Sequence, residues 1–194
     1  MRNLYWMLKM FLCLSFLTGV IYPLLITVIA KTFMHDKANG SFVTVDGKIV
    51  GSSLIAQKFT SEIYFWPRPS ACDYNPLPSS ASNLGPISLE LKRQVEERRK
   101  KIIKAHGNIK NNEIPSELLY ASGSGLDPHI TKCAAYFQMT RIANARGMTA
   151  SSKKALIELV ESMIEERGYG FMGGQYVNVL LLNIALDKFI GHDG

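Results

Sequence analysis

From Met10 to Ala30 the chain runs 21 residues without a charge. A helix of that length reaches about 32 Å at ~1.5 Å per residue, roughly one hydrocarbon core. Inside lipid each backbone N–H and C=O needs a partner within the segment, which restricts such a run to helix. The run is apolar on all faces, unlike the one-sided stripe of a soluble core helix. Pro23 interrupts it, but bilayer helices tolerate proline where neighbouring groups satisfy the freed carbonyl. Tyr5 and Trp6 stand where interfacial aromatics usually lie. Val28-Ile29-Ala30 has the small-residue character of a signal cleavage site, yet signal h-regions are only about 7–15 residues long. The segment therefore reads as a retained span, residues 10–30 in the lipid bilayer, after a short tail of residues 1–9. Arg2 and Lys9 on one side match Lys31 and Lys37 on the other. The free amino terminus tips the balance, keeping the tail cytoplasmic and placing residues 31–194 outside. A single-pass protein with its larger part outside the cytoplasmic membrane is expected.

The part beyond the span is long enough to bury a core without disulfides. The whole chain has 22 Lys and Arg against 16 Asp and Glu, a mild basic surplus. No basic run carries interleaved aromatics, so no nucleic-acid module is expected. The densest basic patch, Arg98-Arg99-Lys100-Lys101 after Glu96-Glu97, reads as a solvated helix face or as a docking surface for a partner or lipid headgroups. Of the three cysteines, Cys13 lies in the apolar run. Cys72 and Cys133 could pair if the domain sits in an oxidising compartment, but they are far apart in sequence; none has zinc-site spacing, so three unpaired thiols and no metal site are the expectation.

Local patterns point to an α+β domain. Ser41 to Val45 alternates, Asp46-Gly47 follows, and Lys48-Ile49-Val50 resumes, which predicts a hairpin with a type I′ turn. Val50 to Phe59 is expected to continue extended. Phe59 to Pro86 holds five prolines and no helical period; a loop this long is usually functional. Ser88 caps a helix to about His106, with Leu89, Leu91, Val95, Ile102 and Ile103 apolar. His106 to Asn112 reads as a connector. Thr131 caps a second helix that stops near Arg146 at Gly147. Ser151 or Ser152 opens a third, striped by Ala155, Leu156, Leu159, Val160 and Ile164 and ended by Gly168. Val177 to Leu182 is expected as a strand before a short helix through Asp187.

Catalytic motifs are missing. The chain has no phosphorylatable Asp in a Lys-Thr-Gly-Thr setting, no Walker A loop, no His-Glu-x-x-His helix and no Gly-x-Ser-x-Gly elbow. Ser124, Asp127 and His129 offer the groups of a hydrolase triad, which makes a membrane-anchored extracytoplasmic hydrolase the competing function. Triad members normally converge from separate elements, and six residues leave little room for that. A structural loop is the simpler reading: Asp127 accepts turn hydrogen bonds and Pro128 fixes φ. Ser122-Gly123-Ser124-Gly125 also has the form of an anion-binding nest just before a helix start. Phe171-Met172-Gly173-Gly174-Gln175 echoes the ABC-transporter signature but reads as a turn.

Several separated segments together resemble the KdpC family. They are Gly19-Val20-Ile21-Tyr22-Pro23-Leu24 in the span, Ala38-Asn39-Gly40-Ser41, and Gly51 to Thr60. The long loop adds Tyr64-Phe65, Arg68-Pro69-Ser70-Ala71, Tyr74-Asn75-Pro76 and Ser80 to Pro86. Ala121 to Ile130, Gln138-x-x-Arg141, Ala145-Arg146-Gly147, Val177-Asn178-Val179 and Leu182-Asn183 with Ala185-Leu186-Asp187 complete the set. Each piece is moderately specific, and the ordered set is highly so. Lys132-Cys133 departs from the Pro-x helix start of the family, and residues 151–175 match in helical character only. The resemblance implies an accessory, non-catalytic subunit of a high-affinity ATP-driven potassium uptake pump, with KdpA, KdpB and KdpF as partners. It also implies a proposed role as a catalytic chaperone raising the ATP affinity of KdpB, with Gln138 touching nucleotide beside Ser122, Gly123, Ser124 and Gly125. No cofactor is expected to stay bound; ATP enters only through the complex. An extracytoplasmic domain meets no ATP, so the topology outranks the nucleotide contact. Tyr22, Pro23, Tyr64, Phe65, Trp66, Arg68, Tyr74 and Asn75 are the expected partner-interface residues, and the alternative for the loop aromatics is the domain's own core. Cys72 is the expected site for testing topology with an impermeant thiol reagent.

Overall fold

The computed structural model describes residues 2–107, 109–166 and 173–190. The chain forms two compact units, Met1–Ser52 and Ser53–Gly194.

The first unit opens with one helix, Arg2–Phe33, whose 18-residue apolar window has mean hydropathy 2.3 and is not buried. It extends beyond the uncharged run at both ends. Helix α1 (Arg2–Phe16) passes through a π turn at Leu17–Ile21 into α2 (Tyr22–Phe33). Pro23 explains the turn: it lacks an N–H, and its ring would strike the carbonyl of Gly19 in a regular helix. Thr18, Thr27 and Thr32 donate their hydroxyls to carbonyls four residues back at 2.8, 2.7 and 2.8 Å. That satisfies them within an otherwise apolar helix. After the short α3 (His35–Ala38) come β1 (Phe42–Val45) and β2 (Lys48–Ser52). Asp46 and Gly47 have φ of 50° and 75°, the two positive values a type I′ hairpin requires. The pair is antiparallel with Val45 opposite Lys48 and a bulge at Val43/Thr44. Extended pairing stops at Ser52 and does not continue to Phe59; residues 53–88 carry neither helix nor strand.

In the second unit α4 (Leu89–His106) starts where Ser88 Oγ accepts from Leu91 N–H. Val95 and Ile102 are its buried residues, while Leu89, expected on the apolar stripe, is exposed in the first turn. Helix α5 (Lys132–Ala145) is capped by Thr131, whose Oγ1 accepts from Ala134 N–H at 3.2 Å. Gly147, at φ 64°, follows the end of α5. Helix α6 (Ala150–Ser162) begins two residues earlier than expected, because Thr149 rather than Ser151 accepts from the Ser152 N–H. Ile164 leaves the helix for a strand, and the stop expected at Gly168 lies outside the described residues. Strands β3 (His129–Thr131), β4 (Ile164–Glu166) and β5 (Gln175–Asn178) form an antiparallel sheet in the order β3-β5-β4. The expected strand to Leu182 ends at Asn178: its Oδ1 accepts from Leu181 N–H at 3.2 Å and starts α7 (Val179–Ile190). Phe65, Ile130, Ile142, Leu156, Val160, Val177, Leu182 and Leu186 are the fully buried centre. The architecture is α+β, as the sequence pattern implies.

Candidate functional site

The segment before Arg68 crosses the core without a strand partner, so its backbone groups need side chains. Two amides act as surrogate strands. Asn183 accepts from Phe65 N–H at 2.8 Å and donates to Phe65 C=O at 3.0 Å. Gln138 accepts from Trp66 N–H at 2.7 Å and donates to Trp66 C=O at 3.1 Å. Arg141 donates to the carbonyls of Glu62 and Tyr64 and, at 2.8 Å, to Gln138 Oε1. Its guanidinium carbon stands 4.1 Å from the centre of the Trp66 ring. Burial pushes the Arg141 pKa down to about 10, only partly offset by Glu62. Arg146 donates to Ile63 C=O at 2.8 Å and to Asp187 at 2.7 Å, and Tyr64 donates its hydroxyl to the same carboxylate at 2.8 Å.

A second loop closes on the first. Ser122 N–H donates to Pro69 C=O at 3.0 Å, and Ala56 N–H to Leu126 C=O at 2.9 Å. Gly125, at φ +72°, packs so closely that a Cβ there would stand 2.7 Å from Cys72 Sγ and 2.8 Å from Ser80 O. Asp127 accepts from the His129 backbone N–H at 3.1 Å and from Arg68 Nη1 at 2.9 Å, with His129 Nδ1 3.7 Å away. Burial by itself would raise the Asp127 pKa, but hydrogen bonds from His129 and Arg68 hold it below the usual carboxylate range. Glu117 accepts from Thr131 N–H at 3.1 Å and from the Thr131 hydroxyl. Arg68, Glu117, Asp127, His129 and Tyr176 line an open polar cavity of about 360 Å³.

This arrangement locks a turn. Ser124 Oγ accepts from the Leu126 N–H at 3.1 Å, and Asp127 is committed to the turn backbone and to Arg68. Asp127 and His129 line the polar cavity, whereas Ser124 is not among its lining residues. The nest geometry also closes on itself: Gly125 N–H donates to Ser122 C=O and Ser122 N–H to Pro69 C=O. Gly123 alone of these glycines faces open space.

Gln138, expected beside a nucleotide, is wholly buried and its amide is held by Trp66 and Arg141. Phe65 and Trp66, expected at a partner surface, are core residues of this chain. Tyr74 donates its hydroxyl to Arg68 C=O at 2.9 Å, and burial pushes its pKa up to about 12. Asn75 is exposed, its Oδ1 accepting from Leu77 N–H at 3.0 Å. Tyr22 is exposed on the N-terminal helix. Cys13, Cys72 and Cys133 are free. The ABC-like run begins outside the described residues; of it Gln175 starts β5. Sequence reasoning missed the bracing roles of Arg141, Arg146 and Asn183. Their signal was polar residues recurring on otherwise apolar helices, Gln138 and Arg141 one turn apart and Asn183 amid leucines.

The family described as KdpC: K+-transporting ATPase, c chain, matches residues 4–188. A potassium-transporting ATPase KdpC subunit of Leptospira interrogans is 44% identical over 184 residues, covering 95% of this chain and 93% of its own. The KdpC subunit of Dechloromonas aromatica is 45% identical over 183 residues, 93% of this chain and 94% of its own. That of Geobacter sulfurreducens is 44% identical over 194 residues, 98% of this chain and 100% of its own.

Proposed function

The chain belongs to the KdpC family, the c chain of potassium-transporting ATPases, and from that premise we propose that it is the accessory, non-catalytic subunit that holds the pump assembled. Residues 10–30 anchor it in the cytoplasmic membrane beside the larger chains, with residues 1–9 inside and 31–194 outside. Its partners are the KdpA, KdpB and KdpF subunits. The observation that carries this reading is the bracing of residues 62–66 by Gln138, Arg141, Arg146 and Asn183. A loop held that firmly presents a fixed surface, and a pre-organised surface binds without the cost of ordering. Two of the groups that a hydrolase would need, Ser124 Oγ and the Asp127 carboxylate, are tied into the turn instead.

The chaperone role toward ATP is part of the same proposal, with one change. Gln138 supports the loop, so an effect on ATP affinity passes through assembly of the complex rather than through contact with nucleotide. Purification of the tagged chain in detergent tests the main claim. Larger chains of the KdpA and KdpB type are expected beside it, and a chain that emerges alone would refute it. Ser124→Ala separates the hydrolase reading: pump activity is expected to persist, and loss of a hydrolysis intrinsic to this chain would favour the hydrolase.

A further inference from the structure

The basic run Arg98-Arg99-Lys100-Lys101 has no part in the bracing described above. It does not form one solvated face. Arg99 pairs with Glu96 at 3.1 Å. Arg98 and Lys101, three residues apart and so on one side of α4, line a cavity of about 220 Å³ with Lys58, Trp66, Pro67 and Tyr74. Lys58 is neutralised by Asp73 at 2.7 Å. Arg98 donates to Leu119 C=O at 2.8 Å and to Gln94 Oε1 at 3.2 Å, both uncharged acceptors. The Lys101 ammonium stands 4.9 Å from the centre of the Trp66 ring. Among the described residues neither cation joins an ion pair.

Asp73 lines the cavity too but is taken up by Lys58, so Arg98 and Lys101 meet at one concave site with no carboxylate paired to them. Burial lowers the Arg98 pKa, which marks its charge as partly removed from water. Such a charge is costly until an opposite one arrives. Tyr74 supplies none, because burial keeps its hydroxyl protonated. The Trp66 ring, Pro67 and Pro69 give the cavity an apolar wall. The volume falls below the roughly 300–1,000 Å³ of sites that enclose whole small molecules. It fits the end of a side chain, not a nucleotide. A lipid surface is met by long basic side chains spread over an exposed face, whereas Arg98 is half-buried in the cavity wall and Lys101, itself exposed, lies over the Trp66 ring of the same cavity.

We infer that the cavity between α4 and residues 58–74 is a socket for an acidic side chain on an extramembrane segment of a larger pump subunit. The incoming carboxylate pairs with Arg98 and Lys101, and its aliphatic stem packs on Trp66. This rests on the docking role proposed above and names the chemistry of the partner.

The test uses the complete complex in detergent, tagged on a larger subunit, washed with rising sodium chloride. Lys101→Glu is expected to release this chain at clearly lower salt, with affinity down roughly tenfold or more. Lys101→Arg is expected to hold. Lys100→Glu, exposed on the same helix but outside the cavity, is expected to hold as well. Thermal unfolding of the Lys101→Glu chain should match that of the unaltered chain, which excludes misfolding. Retention of Lys101→Glu at unchanged salt would overturn the socket. So would equal release by Lys100→Glu, which would mean general charge attraction. Unchanged retention with weaker binding to vesicles of anionic phospholipid would overturn it in favour of lipid. If the unaltered chain itself never co-purifies, the docking role falls and the socket with it.

Discussion

Gly123 and Gly125 stand two residues apart in one motif and face opposite constraints. Gly125 needs a positive φ and leaves no room for a Cβ between Cys72 and Ser80, whereas nothing lies within 4 Å of a Cβ at Gly123. Gly125→Ala should therefore cost about 2–4 kcal/mol, from strain and from a forced contact with backbone. Gly123→Ala should stay within about 0.5 kcal/mol. Urea unfolding of the full chain in detergent checks both, and equal effects would refute the contrast. Gln138 gives a second residue-scale prediction. Gln138→Ala strands the Trp66 N–H and C=O in the core, at about 2–4 kcal/mol. A nucleotide ligand would behave differently: its loss would leave the unfolding midpoint in place and weaken ATP use by the pump. The midpoint shift decides between them.

At the scale of elements, the C-terminal turn of α4 carries a pH dependence. His106 stacks on Phe137 at 4.5 Å between ring centres, and its Nδ1 lies 2.9 Å from Ile102 C=O. Its Nε2 is buried without a hydrogen-bond partner among the described residues. Desolvation lowers its pKa; the Ile102 carbonyl and Glu62 oppose this, and Arg141 adds to it. The unfolded chain therefore takes up the proton at higher pH than the folded one. Stability is full above the ordinary histidine value and declines as pH falls through it toward the folded pKa. The melting temperature of the full chain should drop between about pH 7 and about pH 5.5. His106→Phe, which keeps the stacked ring, should flatten that slope. The Asp127 pKa is also lowered, and its contribution is likewise lost as pH falls, but only in more acidic solution. Among the elements themselves, those with strong local chemistry were legible in advance. Asp46-Gly47, Ser88 and Thr131 each impose their own turn or cap. The boundaries at Ser52 and Asn178 were not, because tertiary partners decide them, and at Thr149 the neighbouring serines offered equivalent caps. Asn178 reads as a strand residue until its amide is seen donating to Ser53 C=O at 2.8 Å while its oxygen starts α7. The long loop was legible as irregular, but Phe65 and Trp66 turning inward was not. That depends on amides more than 70 residues away in sequence.

For the molecule as a whole, orientation is the property that local chemistry constrains least, since basic residues tie at the two ends of the apolar helix. Two lines favour the larger unit outside. A short, positively charged N-terminal tail normally stays cytoplasmic. Gln138, the group expected to need cytoplasmic ATP, is already occupied in the core, so nothing it does requires the inner side. The structure also picks the better probe. Cys72 is half-buried with its sulfur against Gly125, and Cys13 lies in the apolar helix, whereas Cys133 is exposed at the start of α5. In a chain carrying Cys13→Ala and Cys72→Ala, Cys133 should react with a membrane-impermeant maleimide in intact spheroplasts, with no gain on lysis. Labelling that appears only after lysis would place α5 in the cytoplasm. The acidic partner of Arg98 and Lys101 would then have to lie on a cytoplasmic face of the pump, and the same single-cysteine chain would report it by protection of Cys133 or its absence on that side of the membrane.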